Sequence, residues 1–402
     1  MRICKVWDAD YPWDVRVEKV SHSLAMAGHE VHLVCRNEAR RERREWNGTF
    51  TIHRLPVLPF KNQLAHAAWN FPYPLNPAWI SNLTQVVRHT KPDVILVRDI
   101  LLALPSLAIG KLYGIPVVLD MAENYPAMLK DRRHYNTASV WENILRNPSL
   151  ARLVERISVR FATHVIVVVE ESRDRLVGLG IPPDRISVVS NTPILDRWPR
   201  NAGAGLESGC KTRVDLVYLG NLDGSRGVDT AIRAVARLKE AGNLVHFHVI
   251  GDGPSRSHLE YLARALNVTE YVDIFGRLPF SKVQSIIATS DIGLIPHYAT
   301  DAWNATIPNK LFDYMLVGMP VIVSDVKPTA RIVRTENCGE VYRDRDDADL
   351  ARCVMALRTP EARRIKGANG RSAILRSYNW GNDSKVLLEV VDSVYRQGRR
   401  MK

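Results

Sequence analysis

Short apolar segments alternate with helical segments along almost the whole chain, and this alternation constrains the fold more than any other feature. Apolar residues recur at helical spacing between the apolar segments, for example at Val17, Val20 and Leu24 before Gly28. The strands predicted in the first half are Arg2–Val6, Glu30–Cys35, Val94–Val97, Pro116–Leu119, His164–Val169 and Ile186–Val189. Apolar strands separated by helices are typical of a parallel sheet covered on both faces.

The alternation is interrupted once and then restarts. Proline and glycine cluster between residues 191 and 212, where aliphatic residues are few, which predicts an interdomain linker. The strands predicted after it are Asp215–Leu219, Val245–Ile250, Tyr271–Phe275, Ile292–Ile295 and Pro320–Val323. The sequence therefore predicts an α/β protein with two Rossmann-like doubly wound domains facing a cleft, residues 1–195 and residues 210–377.

The amino-acid composition narrows the range of binding partners and cellular compartments but identifies neither a single partner nor a single compartment. The chain has 402 residues, and 55 Lys and Arg against 43 Asp and Glu give a net charge of +12, which attracts phosphate in general. Its 5 cysteines are scattered without metal-ligand spacing, so neither a disulfide framework nor a zinc site is predicted and a reducing compartment is favoured. With no signal peptide and no apolar run of about 20 residues, any membrane contact is expected to be peripheral.

Four loops that follow strands in the second half have the composition of a phosphate site. Gly220–Gly227 supplies flexible backbone and Arg226, and Gly251–Pro254 is a second glycine loop. Phe275–Pro279 contains Arg277, and a helix beginning near Pro308 carries Lys310 in its first turn. Each loop has a plainer interpretation, as an ordinary turn or as a helix start with its lysine in solvent. Their common position after strands favours an anion site.

One of these segments resembles a known family signature. The string from Ile307 through Asn309, Lys310 and Asp313 to Gly318-Met-Pro-Val-Ile resembles that of retaining glycosyltransferases of family 4, glycosyl transferases group 1, which have the GT-B fold. The resemblance implies transfer of a hexosyl or N-acetylhexosaminyl group from a UDP- or GDP-linked sugar to an acceptor hydroxyl. It also implies that no metal or other cofactor is needed. The last helical segment, 378–402, is expected to pack back on the first domain.

The resemblance also assigns roles to residues of the second half. It places Arg226 and Lys310 on the donor diphosphate, and it gives Thr306 and Ile307 backbone N–H groups as further donors. Asp313 would contact the ribose, and Arg277 lies where the base is usually bound. The other residues of the predicted donor site are Gly220, Asn221, Gly251, Gly253 and Asn309. The chain departs from the family pattern at two positions, where Ala305 replaces an acid and Asn221 replaces an arginine.

The first half supplies candidate residues for the acceptor side. Asp14 and Arg16 follow the first strand, where the family often has paired glycines, and the alternative is that Asp14 caps a helix while Arg16 is solvated. Glu123 follows a buried strand and is the main candidate for a group that polarises the acceptor hydroxyl. The family histidine before it is Ala122 here. Helix capping by Glu123 is the alternative.

The expected partners are a nucleotide-sugar, a lipid-linked or glycan acceptor and an anionic membrane surface, with no nucleic acid. Residues Met128–Leu150 mix basic and apolar side chains, which fits either a membrane-resting segment or a plain surface helix. The predicted location is cytoplasmic, peripheral on the inner face of the plasma membrane. Two other functions remain open: a nucleotide-sugar 2-epimerase of the same fold, and a non-catalytic module that binds an anionic membrane or nucleic acid.

Overall fold

The computed structural model describes residues 1–12, 14–57, 76–135, 147–197 and 213–400 and divides into two compact units. Unit 1 comprises Met1–Pro126, Arg146–Ser190 and Asp383–Lys402. Unit 2 comprises Ala127–Leu145 and Asn191–Asn382. The first domain was predicted to run without a break over residues 1–195, whereas residues 127–145 cluster with unit 2. The final residues, Asp383–Lys402, cluster with unit 1.

Unit 1 contains, within the described residues, an eight-stranded sheet in the order β3-β4-β2-β1-β5-β6-β7-β8. Its strands are β1 Arg2–Val6, β2 Glu30–Cys35, β3 Arg44–Trp46, β4 Thr51–Arg54, β5 Val94–Arg98, β6 Val117–Met121, β7 His164–Val167 and β8 Ile186–Val188. All neighbours pair in parallel except β3 with β4. Every residue of β5 and of β6 is buried, as expected for central strands covered on both faces.

Helices connect these strands. They are α1 Val15–Met26, α2 Pro77–Thr90, α3 Ala103–Tyr113, α4 Tyr125–Tyr135, α5 Pro148–Phe161 and α6 Glu170–Gly178. The long final helix of the chain, Trp380–Arg400, is α14. Helix α4 and the final helix each contain one of the boundaries between the two clusters, after Pro126 and after Asn382.

Unit 2 contains a six-stranded sheet in the order β11-β10-β9-β12-β13-β14, with parallel pairing throughout the described strands. The strands are β9 Val214–Leu219, β10 Val245–Ile250, β11 Val272–Gly276, β12 Ile292–Ile295, β13 Val321–Ser324 and β14 Gly339–Tyr342. The helices are α7 Val228–Glu240, α8 Arg256–Ala265, α9 Phe280–Thr289, α10 Asn309–Leu316, α11 Lys327–Glu336, α12 Asp347–Ala356 and α13 Pro360–Arg376.

The strand order of unit 2 determines where a ligand can bind. Chain connections run outward in one direction from β9 to β10 and β11, and in the other direction from β12 to β13 and β14. The loops after β9 and β12 therefore diverge and leave a crevice between them, which is where open parallel sheets bind ligands. The Gly220–Gly227 loop follows β9, and the segment leading to Lys310 follows β12. Two of the predicted loops thus border this crevice, at the point where the strand order of the sheet reverses direction.

Candidate functional site

The loop after β9 needs its glycines for close packing. Gly220 has φ +145°, and a Cβ there would lie 2.9 Å from Nζ of Lys310. Gly227 has φ +63°, and a Cβ there would overlap the carbonyl oxygen of Pro296, directly after β12. Any larger residue would force the two loops apart. Glycine at these two positions therefore lets the β9 loop lie directly against the segment that carries Lys310.

A second glycine loop supports the first. A Cβ on Gly251 would overlap the carbonyl oxygen of Gly220, and one on Gly253 would come within 2.5 Å of the carbonyl oxygen of Leu222. Backbone hydrogen bonds join the same loops, with the Leu222 N–H donating to the carbonyl of Asp252 at 3.0 Å. Gly251 and Gly253, predicted as part of the donor site, thus act here as packing positions for the first loop.

Asp223 organises the β9 loop. Its Oδ1 accepts hydrogen bonds from the backbone N–H of Ser225 at 3.0 Å and from the Ser225 hydroxyl at 2.6 Å. Its Oδ2 accepts from Nε of Arg226 at 2.9 Å and from Nδ2 of Asn221 at 3.2 Å. Burial raises the pKa of Asp223, but Arg226 and these hydrogen bonds outweigh it and lower the pKa overall. The ionised carboxylate therefore fixes the direction of the Arg226 side chain.

Trp303 holds the other side of Arg226. The guanidinium carbon lies 4.4 Å from the centre of the indole ring, a cation–π distance. Trp303 Nε1 in turn donates to the Ser225 hydroxyl oxygen at 3.1 Å. Arg226 bonds Asp223 through Nε alone. Held in this way, the guanidinium keeps its terminal nitrogens for a further acceptor, and a planar fork of this kind matches phosphate oxygens.

Lys310 carries a buried amine that has no acidic partner among the described residues. It is 7% exposed, and its Nζ lies 3.8 Å from the centre of the Tyr218 ring and 3.3 Å from Nε2 of His297. Among the described residues, no carboxylate oxygen lies within ion-pairing distance of this amine. Burial and the charge of Arg226 lower the pKa of Lys310 well below its usual value. The alternative that Lys310 is solvated is therefore wrong.

His297 supports the Lys310 amine. It is 1% exposed, and its ring lies against Trp303 at 4.0 Å between ring centres. Its carbonyl accepts a hydrogen bond from the hydroxyl of Ser324. Burial, together with Lys310 and Arg226, lowers the pKa of His297 well below 6.5, so the imidazole is neutral near pH 7. A neutral Nε2 can accept a hydrogen bond from the Lys310 amine.

The start of helix α10 completes the site. Pro308 occupies the N-cap, and no side chain of the described residues caps this helix. Thr306 and Ile307 are buried just before it, and Lys310 is the second helical residue. Backbone N–H groups at a helix start carry positive potential toward an anion. Lys310, Arg226 and the helix start therefore form one cationic cluster, which we call the diphosphate cradle.

Other predicted donor residues lie around this cradle. Arg277, Asn221 and Asn309 are exposed, and Asp313 is half-buried on α10 one turn after its start. Ala305, at the position of the missing family acid, is 4% exposed at the end of the short helical turn Trp303–Ala305. The exposed residues have room for a ligand, but no geometry of this structure assigns them to base or sugar.

Sequence reasoning missed the side chains that hold the cradle: Asp223, His297 and Trp303. Asp223 has a recognisable local signal, because an aspartate two residues before Ser225 is a typical cap of a helical turn. His297 is the second residue after β12 ends. Residues just after the strands of a parallel sheet line its ligand crevice, so this position was a signal for a site residue. Trp303 has no such signal.

In unit 1, Asp14 and Arg16 have well-defined partners. Asp14 Oδ1 accepts hydrogen bonds from the backbone N–H groups of Arg16 and Val17 at 2.7 and 2.9 Å, so it caps α1 as the plainer interpretation proposed. Arg16 is 4% exposed, contrary to that interpretation, and pairs with Asp120 at 2.7 Å. It also donates to the carbonyl of Val189 at 2.9 Å. Arg16 therefore holds three segments of unit 1 together.

Glu123 lies two residues beyond the end of β6 and two residues before α4 begins. It is half-buried, and its charge acts on Arg98 and Tyr125. Burial raises the pKa of the Tyr125 hydroxyl well above 10, with Asp99 and Glu123 adding to the effect. Glu123 thus lies in a loop at the carboxyl end of the unit 1 strands, the edge at which parallel sheets bind ligands, and its role on the acceptor side stays a prediction.

Residues 128–135 of the basic segment Met128–Leu150 cluster with unit 2, whereas residues 147–150 cluster with unit 1. Tyr135 accepts a hydrogen bond from Arg345 at 2.6 Å, and its ring lies 6.0 Å from that of Tyr298. It also lies against Gly224, where a Cβ would come 2.9 Å from the tyrosine ring. Residues 136–146 of the segment, including Trp141, lie outside the described residues. Within the described parts of the chain, no helix has both the length and the apolar character to cross a bilayer.

Comparisons with known proteins agree with this architecture. A family model for a glycosyl transferase 4-like domain matches residues 14–192, and one for glycosyl transferases group 1 matches residues 213–359. Glycogen synthase of Mycobacterium tuberculosis is 24% identical over 319 residues, which are 78% of this chain and 72% of that protein. These matches do not favour the epimerase or the non-catalytic binding module.

Solved structures extend the similarity over the whole chain. Sucrose-phosphate synthase from Thermosynechococcus elongatus superposes with a TM-score of 0.79 at 17% identity, covering 99% of this chain and 100% of that one. Anabaena HepE, in complex with UDP and glucose, superposes with a TM-score of 0.71 at 13% identity, covering 98% and 100%. At such identities the likeness establishes the fold, which is that of GT-B proteins.

Proposed function

We propose that this chain, a GT4-like glycosyltransferase, transfers a sugar from a nucleotide diphosphate donor to an acceptor hydroxyl with retention at the anomeric carbon. The observation that carries the proposal is the diphosphate cradle, in which a buried lysine adjoins an oriented arginine and has no acidic partner in the part of the chain that the structure describes. Removing a charge from water is unfavourable unless a partner compensates it, and a bound diphosphate would be that partner. The family matches support transferase chemistry at such a site.

In the proposed reaction, the bond between the anomeric carbon and the donor phosphate oxygen breaks, and the nucleoside diphosphate leaves with the electron pair. Lys310, Arg226 and the start of α10 stabilise the negative charge that develops on the leaving group. The acceptor oxygen forms the new bond to the same face of the sugar, and its proton passes to the Glu123 carboxylate. No metal ion or other cofactor is needed in this scheme, because the cradle supplies the positive charge.

We propose UDP or GDP as the nucleotide and a hexosyl or N-acetylhexosaminyl group as the sugar. The complex of HepE with UDP and the similarity to a glycogen synthase support a role in polysaccharide or glycolipid synthesis with a glycan or lipid-linked acceptor. We further propose a cytoplasmic enzyme at an anionic membrane surface, which the net charge of +12 favours.

A thermal-shift panel of nucleotide diphosphates and nucleotide-sugars identifies the donor, because a ligand that binds the native state raises the stability of the protein. Proton NMR of the product's anomeric signal tests retention.

Replacing Lys310 with methionine tests the cradle. Lys310→Met and Arg226→Ala are each expected to weaken nucleotide diphosphate binding by about 1.5–3 kcal/mol, the range for a hydrogen bond to a charged group. Calorimetry of the full chain measures this. Because the Lys310 amine is buried without an acid, Lys310→Met is expected to leave the melting temperature of the unliganded protein unchanged or higher.

Lys239→Met is the matched control for this variant. Lys239 also lies over a tyrosine ring, with Nζ 5.3 Å from the centre of Tyr271, but it belongs to the far end of α7 rather than to the cradle. It should bind nucleotide diphosphates as the wild type does. Equal affinities for the wild type, Lys310→Met and Arg226→Ala would refute the cradle.

At a pH between the free-state and bound-state pKa values of Lys310, diphosphate binding is also expected to take up a proton. The pKa of Lys310 is lowered in the free protein by burial and Arg226, and a bound diphosphate raises it. Affinity should therefore be highest below the free-state pKa and fall as pH rises through the interval between the free and bound values. Calorimetry in two buffers of different ionisation enthalpy measures the uptake. An identical uptake in Lys310→Met would assign the proton to another group.

A further inference from the structure

Three potential metal ligands converge at the edge of the unit 2 sheet. Nε2 of His246 lies 2.8 Å from Oδ2 of Asp273, and Nδ1 of His248 lies 3.2 Å from the same oxygen. The two histidines are separated by one residue on β10, so their side chains share a face of the sheet. Asp273 lies on the edge strand β11, directly opposite His248 in the parallel register.

We propose that His246, His248 and Asp273 bind one divalent transition-metal ion of the Zn²⁺ type. Imidazole nitrogen and carboxylate oxygen bind Zn²⁺ at about 2.0–2.2 Å, so ligand atoms of a tetrahedral site lie about 3.3 Å apart. The three ligand atoms here all lie within 4.8 Å of one another, and two of the separations are 2.8 and 3.2 Å. These two separations already lie within about half an ångström of the tetrahedral value.

The surroundings favour a site with an open position. The His246 and His248 side chains are 13% and 17% exposed, whereas Asp273 is 43% exposed. Water can thus reach the fourth coordination position from the side of Asp273. Phe275 stacks on the His248 ring at 5.9 Å between ring centres and restricts its rotation.

The proposed ion has a structural role. It would join the edge strand β11 to β10, and an edge strand has a neighbour on one side only. The site shares no residue with the diphosphate cradle, so the proposal does not depend on the proposed transferase activity. The alternative is a pair of histidine–carboxylate hydrogen bonds without metal, and the two interpretations predict different responses to added metal.

Cobalt titration of the untagged, chelator-treated full chain distinguishes a metal site from metal-free histidine–carboxylate hydrogen bonds. The expected result is binding of one equivalent of Co²⁺ with the visible absorption of tetrahedral coordination, displaced by one equivalent of Zn²⁺. Zn²⁺ should also raise the melting temperature of the wild type. His246→Ala, His248→Ala and Asp273→Asn should each weaken binding at least about tenfold, since even outer-shell partners contribute that much.

His258→Ala is the matched control, because His258 is an exposed histidine on α8 of the same unit. It should bind Co²⁺ as the wild type does. Should an alanine variant fail to fold, Asp273→Asn retains the side-chain shape, and circular dichroism verifies its fold. Absence of stoichiometric Co²⁺ binding by the wild type, or equal affinity in folded Asp273→Asn, would overturn the proposal.

Discussion

Glu123→Gln is expected to lower the turnover number by about 10²–10⁴-fold, the usual contribution of a general base. Glutamine keeps the shape of the side chain but cannot accept a proton from the acceptor hydroxyl. Affinity for the nucleotide diphosphate should be nearly unchanged, because the cradle residues Lys310 and Arg226 belong to unit 2 while Glu123 belongs to unit 1. Steady-state kinetics with the donor and acceptor identified by the panel, together with calorimetry of nucleotide binding, measure both quantities.

Two controls separate catalysis from structure in this experiment. Glu18→Gln removes an exposed carboxylate from α1 of the same unit and should retain full turnover. The charge of Glu123 acts on Arg98 and Tyr125, so the melting temperature of Glu123→Gln must be compared with that of the wild type. Full turnover in a stable Glu123→Gln would mean that the acceptor proton goes elsewhere, for example to the departing phosphate. A collapse of nucleotide affinity would place Glu123 at the donor instead.

The central strands could be predicted because burial on both faces selects continuous apolar runs. Strands β1, β2, β10 and β12 have the predicted bounds. Three strands were missed: β3 Arg44–Trp46, β4 Thr51–Arg54 and β14 Gly339–Tyr342. They lie at or next to an edge of their sheets, where polar side chains are tolerated and the apolar signal weakens.

The two cations of the cradle were predictable for a topological reason. Each follows a strand that adjoins the switch point of the sheet, and a glycine loop or a helix start marks its position. The burial of Lys310 was not predictable, because it arises from Tyr218 and His297, which are distant in sequence. Likewise, nothing local to Arg16 indicates its pairing with Asp120, 104 residues away. The spacing of residues in the sequence identifies the loops that follow the strands of a sheet. The side-chain partners of a residue that are distant in sequence depend on tertiary packing.

Asp120→Asn is expected to destabilise unit 1 by about 3–5 kcal/mol, because removal of one member of a buried ion pair leaves uncompensated charge. Asp120 is 2% exposed and lies 2.7 Å from Arg16 and 3.7 Å from Lys5, which is fully buried. Burial lowers the pKa of Lys5 to about 8. The amine is therefore still charged near pH 7 and depends on this carboxylate. Urea unfolding of the two proteins measures the difference.

The dependence of this difference on pH tests its electrostatic origin. Burial raises the pKa of Asp120, but Arg16, Lys5 and Arg98 outweigh burial and hold the pKa well below its usual value. The depressed pKa gives the wild type stability that is complete above the unfolded pKa of about 3.9 and is lost as pH falls through the folded value. The gap between wild type and Asp120→Asn should therefore shrink as pH falls below about 4, where the wild-type carboxylate becomes protonated. Nucleotide diphosphate affinity at pH 7 should remain that of the wild type, because the cradle lies in unit 2. A gap that is independent of pH down to acid unfolding would mean that the Asp120→Asn substitution disturbs packing rather than charge.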